Sequence, residues 1–221
     1  DHRDLHLSIR RQRQMCIRDR TREIIKDYAE QYYQHVKAFP RYISATHSIC
    51  EDIEKRRILL ENLQDEENKD GDHPKLWKNF AKALGADENE IENVKLDWFT
   101  KDMIENFFSQ ARKSYAEGLA SLYTYERQIP EIAETKIQGL KKFYGVSSNE
   151  GLEFFEAHKS ADVIHRAECE KLLDGLSKEE QAKAETASLL TARYLWNFLS
   201  GMTSKPVSYT HLRAHETSLH L

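Results

Sequence analysis

An all-α bundle is the fold class this sequence predicts, and three observations predict it. Across the interior of the 221-residue chain, apolar residues recur at three- and four-residue spacing, which lines one face of a helix. Alternating runs of β-branched residues, the mark of a half-buried strand, are missing from the same stretch. Glycine and proline are sparse, 8 and 4 in the whole chain, so long segments run without a breaker.

The ends are set aside before the elements are placed. Arg10–Arg20 reads RRQRQMCIRDR, which one frame of a common transposon-based sequencing adapter encodes, and Val207–Thr217 reads VSYTHLRAHET, which an adapter string also encodes. Residues 1–20 and 207–221 are therefore expected to be non-native adapter-like segments, and 21–206 the helical domain, with a native first helix truncated. The arginine-rich start then stops pointing to nucleic acid. Within 21–206, 26 Lys+Arg against 33 Asp+Glu leave a net charge of −7, which argues against a polyanionic partner.

Helix by helix, the spacing predicts the following. Ile24, Ile25, Tyr28, Tyr32 and Val36 stripe a first helix over about 22–37, which ends near Pro40 because the residue before a proline avoids the α region. A second helix covers about 41–67, with Ile43, His47, Cys50, Ile53, Ile58, Leu59 and Leu63 facing inward. Gly71 and Pro74 break the chain, and Pro74 suits the first turn of a helix reaching about Leu84. The polar stretch GADENEIENVKLD reads as a loop. Helices over about 99–111 and 113–127 follow, and Pro130 separates them from one at about 131–143. Past GVSSNE, where a serine can cap the next start, helices span about 148–173 and 177–200. No internal repeat or low-complexity linker divides these segments.

Composition bounds the function classes. A mean hydropathy of −0.74 with 32% charged residues predicts a water-soluble protein, and no stretch approaches the ~20 apolar residues of a membrane span. Neither a leader nor a disulfide framework is marked: Cys16, Cys50 and Cys169 are odd in number and lack C-x-x-C spacing, which fits a cytoplasmic protein.

The sharpest chemical signal is EAHKSADVIHRAE. His158, Asp162 and His165 stand at i, i+4 and i+7 and share one helix face. That is a ligand arrangement suited to iron, manganese or zinc, or else a solvated polar stripe. Glu126 lies on an otherwise apolar helix, where a buried carboxylate is costly unless it pairs or coordinates. Glu66 and His73 are seven apart with Gly71 between them, so periodicity leaves open whether they share a face, and Glu66 between Asp65 and Glu67 also fits plain surface charge. Together, three histidines and three carboxylates on separated segments make the ligand set of a two-metal site with open positions. His35 and His47 read as a helix-surface and a core-edge histidine.

The runs YYQHVKAFPRYISATHSICEDIE, LLENLQDEEN, HPKLWKNFAKALG, LYTYERQIPEIAETKIQGL and FFEAHKSADVIHRAE carry a resemblance over about 26–173. They resemble the family of the Chlamydia protein associating with death domains, among the heme-oxygenase-like di-iron oxidases, which share their fold with thiaminase II and pyrroloquinoline-quinone synthase. The resemblance implies a heme-oxygenase-like bundle of about seven helices. It places Glu66, His73, Glu126, His158, Asp162 and His165 at the family's six metal-ligand positions, for two ions, iron with iron or manganese with iron. It further implies an O₂-dependent route to p-aminobenzoate, the folate precursor, in which a tyrosine of the chain itself supplies the ring. Lys136 matches the lysine implicated as amino donor, and Tyr28 and Tyr125 match tyrosines near the metal. Gln12, inside the adapter-like run, stands where the family has its sacrificed tyrosine, so metal binding with little aminobenzoate is expected unless Tyr28 substitutes. Related folds often dimerise. Two alternatives stay open: a metal-free thiaminase-II-like hydrolase, for which Cys169 is the candidate nucleophile although a small buried hydrophobe is its plainer role, and a module binding death-domain-like partners.

Overall fold

The computed structural model describes residues 21–69 and 72–205, without the side chains of 160–164. Residues 1–20 and 206–221, Gly71, and the side chain of Asp162 therefore lie outside the described residues, and with them the flank assignments, Gln12 and Cys16. Among the described residues there are nine helices and no strand: α1 Arg22–Ser48, α2 Ile53–Glu66, α3 His73–Ala83, α4 Glu88–Asn93, α5 Trp98–Lys113, α6 Tyr115–Glu126, α7 Ile129–Gly139, α8 Asn149–Asp174 and α9 Lys178–Ser204. A π-helical turn, Leu140–Tyr144, closes α7. No helix among them is long and apolar enough to cross a membrane.

Local chemistry sets most starts. Asp52 caps α2, its carboxylate accepting from the backbone N–H groups of Glu54 and Lys55. Asp72 does the same for α3 through Lys75, with Pro74 in the first turn as its fixed φ favours. Ser114, Ser148 and Ser177 cap α6, α8 and α9. The polar stretch expected as a loop contains α4, because Asp87 and Glu90 form a reciprocal capping box around it.

Two further expectations are corrected at the start of the chain. The first helix does not end before Pro40; α1 continues to Ser48 with Pro40 buried inside it. A mid-helix proline costs about 3 kcal/mol, and Phe39, Tyr42 and Ile43, none more than 2% exposed, bury enough apolar surface to outweigh it. The second helix accordingly starts at Ile53 rather than 41, and Ile53, expected to face inward, is 56% exposed at the helix entrance.

α6 runs through the middle, buried along nearly its whole length, with α9, α5 and α8 packed around it and α1 across it. Close approach to α1 is possible because residue 118 is glycine: a Cβ there would lie 2.5 Å from Thr46 Oγ1 and 3.2 Å from the Ala111 backbone. α8 lies against α3 and α7. The ends of α2 and α6, the start of α3 and the middle of α8 thus converge on one region.

Candidate metal centre

Glu66 is the last residue of α2 and His73 the first of α3, so the two side chains meet at adjoining helix ends, not through a shared helical periodicity. His73 Nδ1 lies 2.7 Å from Glu66 Oε2. The two atoms are nevertheless not aligned as a hydrogen bond, and Nδ1 is a buried nitrogen with no donor–acceptor partner. His158, from the middle of α8, sets its ring 4.2 Å from that of His73 at a tilt of 43°. Ligand atoms of Glu66, His73 and His158 all fall within 4.8 Å of one another, and all three residues are buried.

Second-sphere contacts fix which atoms face inward. His158 Nδ1–H donates to the Phe154 carbonyl at 2.6 Å, four residues back on its own helix, which leaves Nε2 as the lone-pair nitrogen. His165 Nε2–H donates to Asp65 Oδ2 at 3.0 Å. Glu126 closes α6, is 1% exposed, and accepts from Asn62 Nδ2 at 2.7 Å on Oε1 and from the Cys169 thiol at 3.5 Å on Oε2.

The electrostatics describe one coupled cluster. Burial pushes the Glu126 carboxyl up to about 7, with Asn62 and His165 opposing the rise and Glu66 adding to it. Burial, then His73, lowers His158 to about 4. Burial also disfavours a charged His73, yet Glu66, Asp65 and Asp72 outweigh it and raise the imidazole above its ordinary value. Two buried carboxylates among three imidazoles are a donor set that a divalent cation satisfies, and the donor atoms of Glu66, His73 and His158 lie close enough to one another to share an ion. The residues present fit a metal.

Of the expected ligands, the structure brings Glu66, His73, Glu126, His158 and His165 together; for Asp162 it describes only a backbone position on α8 between the two histidines. Tyr28, Tyr125 and Lys136 come together beside them. Lys136, only 6% exposed, donates to the Tyr28 hydroxyl, with Nζ 4.5 Å from that ring's centroid and also over Tyr32, Trp77 and Phe155. Tyr125, next to Glu126 in sequence, exchanges a hydrogen bond with Tyr32. A small apolar cavity lies among Tyr32, Trp77, Tyr125, Lys136, Phe154 and Phe155. Phe154 is shared with the cluster, its ring 4.1 Å from that of His158.

His35 is a correction. Expected on the surface, it is 0% exposed and ringed by Tyr32, Phe39, Tyr42, Phe107 and Tyr125. His35 stands three residues after Tyr32 and seven after Tyr28, on the buried face of α1. Sequence reasoning also passed over Asn62, Asp65 and the Cys169–Glu126 contact. Asn62 precedes Glu66 by four residues and so shares its face, which was the signal available.

Fold and cluster together define a class: heme-oxygenase-like helical bundles with a buried group of carboxylates and histidines. The iron-containing redox enzyme family matches residues 26–196, and the chain belongs to it. Among its relatives is a Chlamydia trachomatis protein named 4-aminobenzoate synthase, 42% identical over 180 residues that cover 81% of this chain and 78% of the relative. A protein of the same name from Nitrosomonas europaea is 38% identical over 196 residues, covering 82% and 79%. Of solved structures, a TenA homologue from Pseudomonas syringae shares the fold with a TM-score of 0.78 at 16% identity, over 92% of this chain and 91% of that one. A CADD-like protein of unknown function from Nostoc punctiforme does so with a TM-score of 0.66 at 18% identity, over 83% and 84%.

Proposed function

We propose that this chain is an O₂-dependent di-metal oxidase that forms 4-aminobenzoate, drawing the ring from a tyrosine of its own chain. The observation that carries the reading is the buried Glu66–His73–His158 group with Glu126 and His165 beside it, one aromatic ring away from the Lys136–Tyr28 pair. The names of the relatives support the product.

Glu66, His73, Glu126, His158, Asp162 and His165 would hold two metal ions, iron with iron or manganese with iron. When bound, the ions supply the oxidising power taken from O₂. The chain's own residues do the rest. Phe154 and Trp77, both buried and packed ring against ring beside His158, would keep water from the site. Glu126, its carboxyl raised by burial to about 7, can carry a proton in the metal-free protein, which a bound cation would displace. Lys136 sits in an apolar cage with its amine on a phenol oxygen, the position from which it would deliver nitrogen to a ring. Cys169 does not favour the hydrolase alternative, because burial and Glu126 push its thiol well above the ordinary value and a thiol, not a thiolate, is a poor nucleophile.

The test is release of 4-aminobenzoate, followed by mass spectrometry, from iron- and manganese-loaded protein given O₂ and reductant. Because Gln12 stands at the sacrificed position, little product is expected from the chain as it is, and at most one per chain once the N-terminal segment of the Chlamydia trachomatis relative is grafted ahead of Thr21. Lys136→Arg in the grafted protein should keep its metal and lose the product. Many turnovers per chain would contradict self-consumption, and no product from a metal-loaded graft would contradict the synthase reading.

A further inference from the structure

The Glu126 carboxylate is held unequally. Oε1 takes a short bond, 2.7 Å, from the Asn62 amide, while Oε2 has only the weak thiol donor of Cys169 at 3.5 Å. Asn62 is itself 3% exposed, and among the described residues this is its one side-chain hydrogen bond; its own Oδ1 is buried with no partner. A buried acceptor left unmade costs about 1–3 kcal/mol, so an apolar residue would serve the packing better. What an amide offers, and an apolar residue does not, is a donor for Glu126. It is also the kind of donor a cation site tolerates. A lysine or arginine would tie the carboxylate into an ion pair and repel an entering metal, whereas a neutral N–H favours the ionised carboxylate and adds no charge. Asn62 lies on the same face of α2 as Glu66, so one helical turn both contributes a ligand and orients another from α6.

From this geometry we infer that Asn62 is a positioning residue of the metal centre, tethering Glu126 by Oε1 so that Oε2 is the oxygen presented to a cation. The inference rests on the metal reading above. Removing such a partner typically costs 10- to 100-fold in metal affinity.

The experiment is a double-mutant cycle read by titration of the metal-free protein with Mn²⁺ and with Co²⁺, whose visible absorption reports its ligand field. Asn62→Leu should weaken binding about 10- to 100-fold and alter the Co²⁺ spectrum in the unmutated background. In a Glu126→Ala background, where no acceptor remains to be tethered, it should change neither. Equal losses in both backgrounds, or undiminished affinity in the single variant, overturn the inference and leave the metal reading standing. No Mn²⁺ or Co²⁺ bound by the unmutated protein overturns both. Should Asn62→Leu lack a helical circular dichroism spectrum, Asn62→Ala, smaller and likewise without the amide donor, takes its place in the same cycle.

Discussion

His35 has neither ring nitrogen hydrogen-bonded and is fully enclosed by aromatic rings, so its charged form has nowhere to be solvated. Burial lowers its pKa from 6.5 to about 3. The sign follows directly. The unfolded chain takes a proton near pH 6.5 and the folded one does not until about pH 3, so the stability present above pH 6.5 is lost as pH falls through that window. His158, lowered to about 4, acts in the same direction. His35→Leu, close in volume and without buried unpaired nitrogens, is predicted to flatten the acid limb of the stability curve and to raise stability at pH 5 by on the order of 1–2 kcal/mol. Urea unfolding of metal-free protein at pH 5 and pH 7.5 checks this; an unchanged acid limb would show that the imidazole finds a partner on folding.

At the scale of the element, the crossing of α1 and α6 depends on the missing Cβ of Gly118. Thr46 cannot give way easily, being 0% exposed with its hydroxyl bonded to the Tyr42 carbonyl. Gly118→Ala should therefore cost about 1–3 kcal/mol, seen as a lower thermal midpoint. Gly175→Ala is the control, since the nearest atoms to a Cβ there are at 3.6 Å, ordinary contact. Equal midpoints for the two variants would mean that the helices separate at no cost. The same crossing shows what the sequence disclosed and what it did not. Long amphipathic helices such as α8 and α9 were legible to within a few residues from spacing and serine caps. The proline rule misplaced the end of α1 because it weighs a local cost, while the apolar burial that outweighs it comes from elements distant in sequence. For the site, i, i+4, i+7 spacing found the histidines of α8, and a lone carboxylate on an apolar helix found Glu126. Asn62 and Asp65 stayed hidden because an uncharged amide and one acid among several do not stand out by residue type, even where Asn62 shares the face of Glu66. Their roles exist only once α6 and α8 are packed against α2.

For the whole molecule, four segments far apart in sequence bring Glu66, His73, Glu126, His158 and His165 into one buried region, so an ion bound there would tie α2, α3, α6 and α8 together. A ligand that binds only the folded state stabilises it by mass action, about 2.7 kcal/mol at a hundred times its Kd. A protein of this size should then lose several degrees of thermal midpoint on treatment with a chelator and regain them with Mn²⁺ or Fe²⁺. The central claim, that these side chains form a two-metal centre, is tested most directly by metal content. Protein expressed with iron and manganese should carry about two ions per chain by mass spectrometry, and a Glu126→Ala, Asp162→Ala variant should lose metal while keeping its helical spectrum. Equal metal in both proteins, or none in either, would contradict the claim.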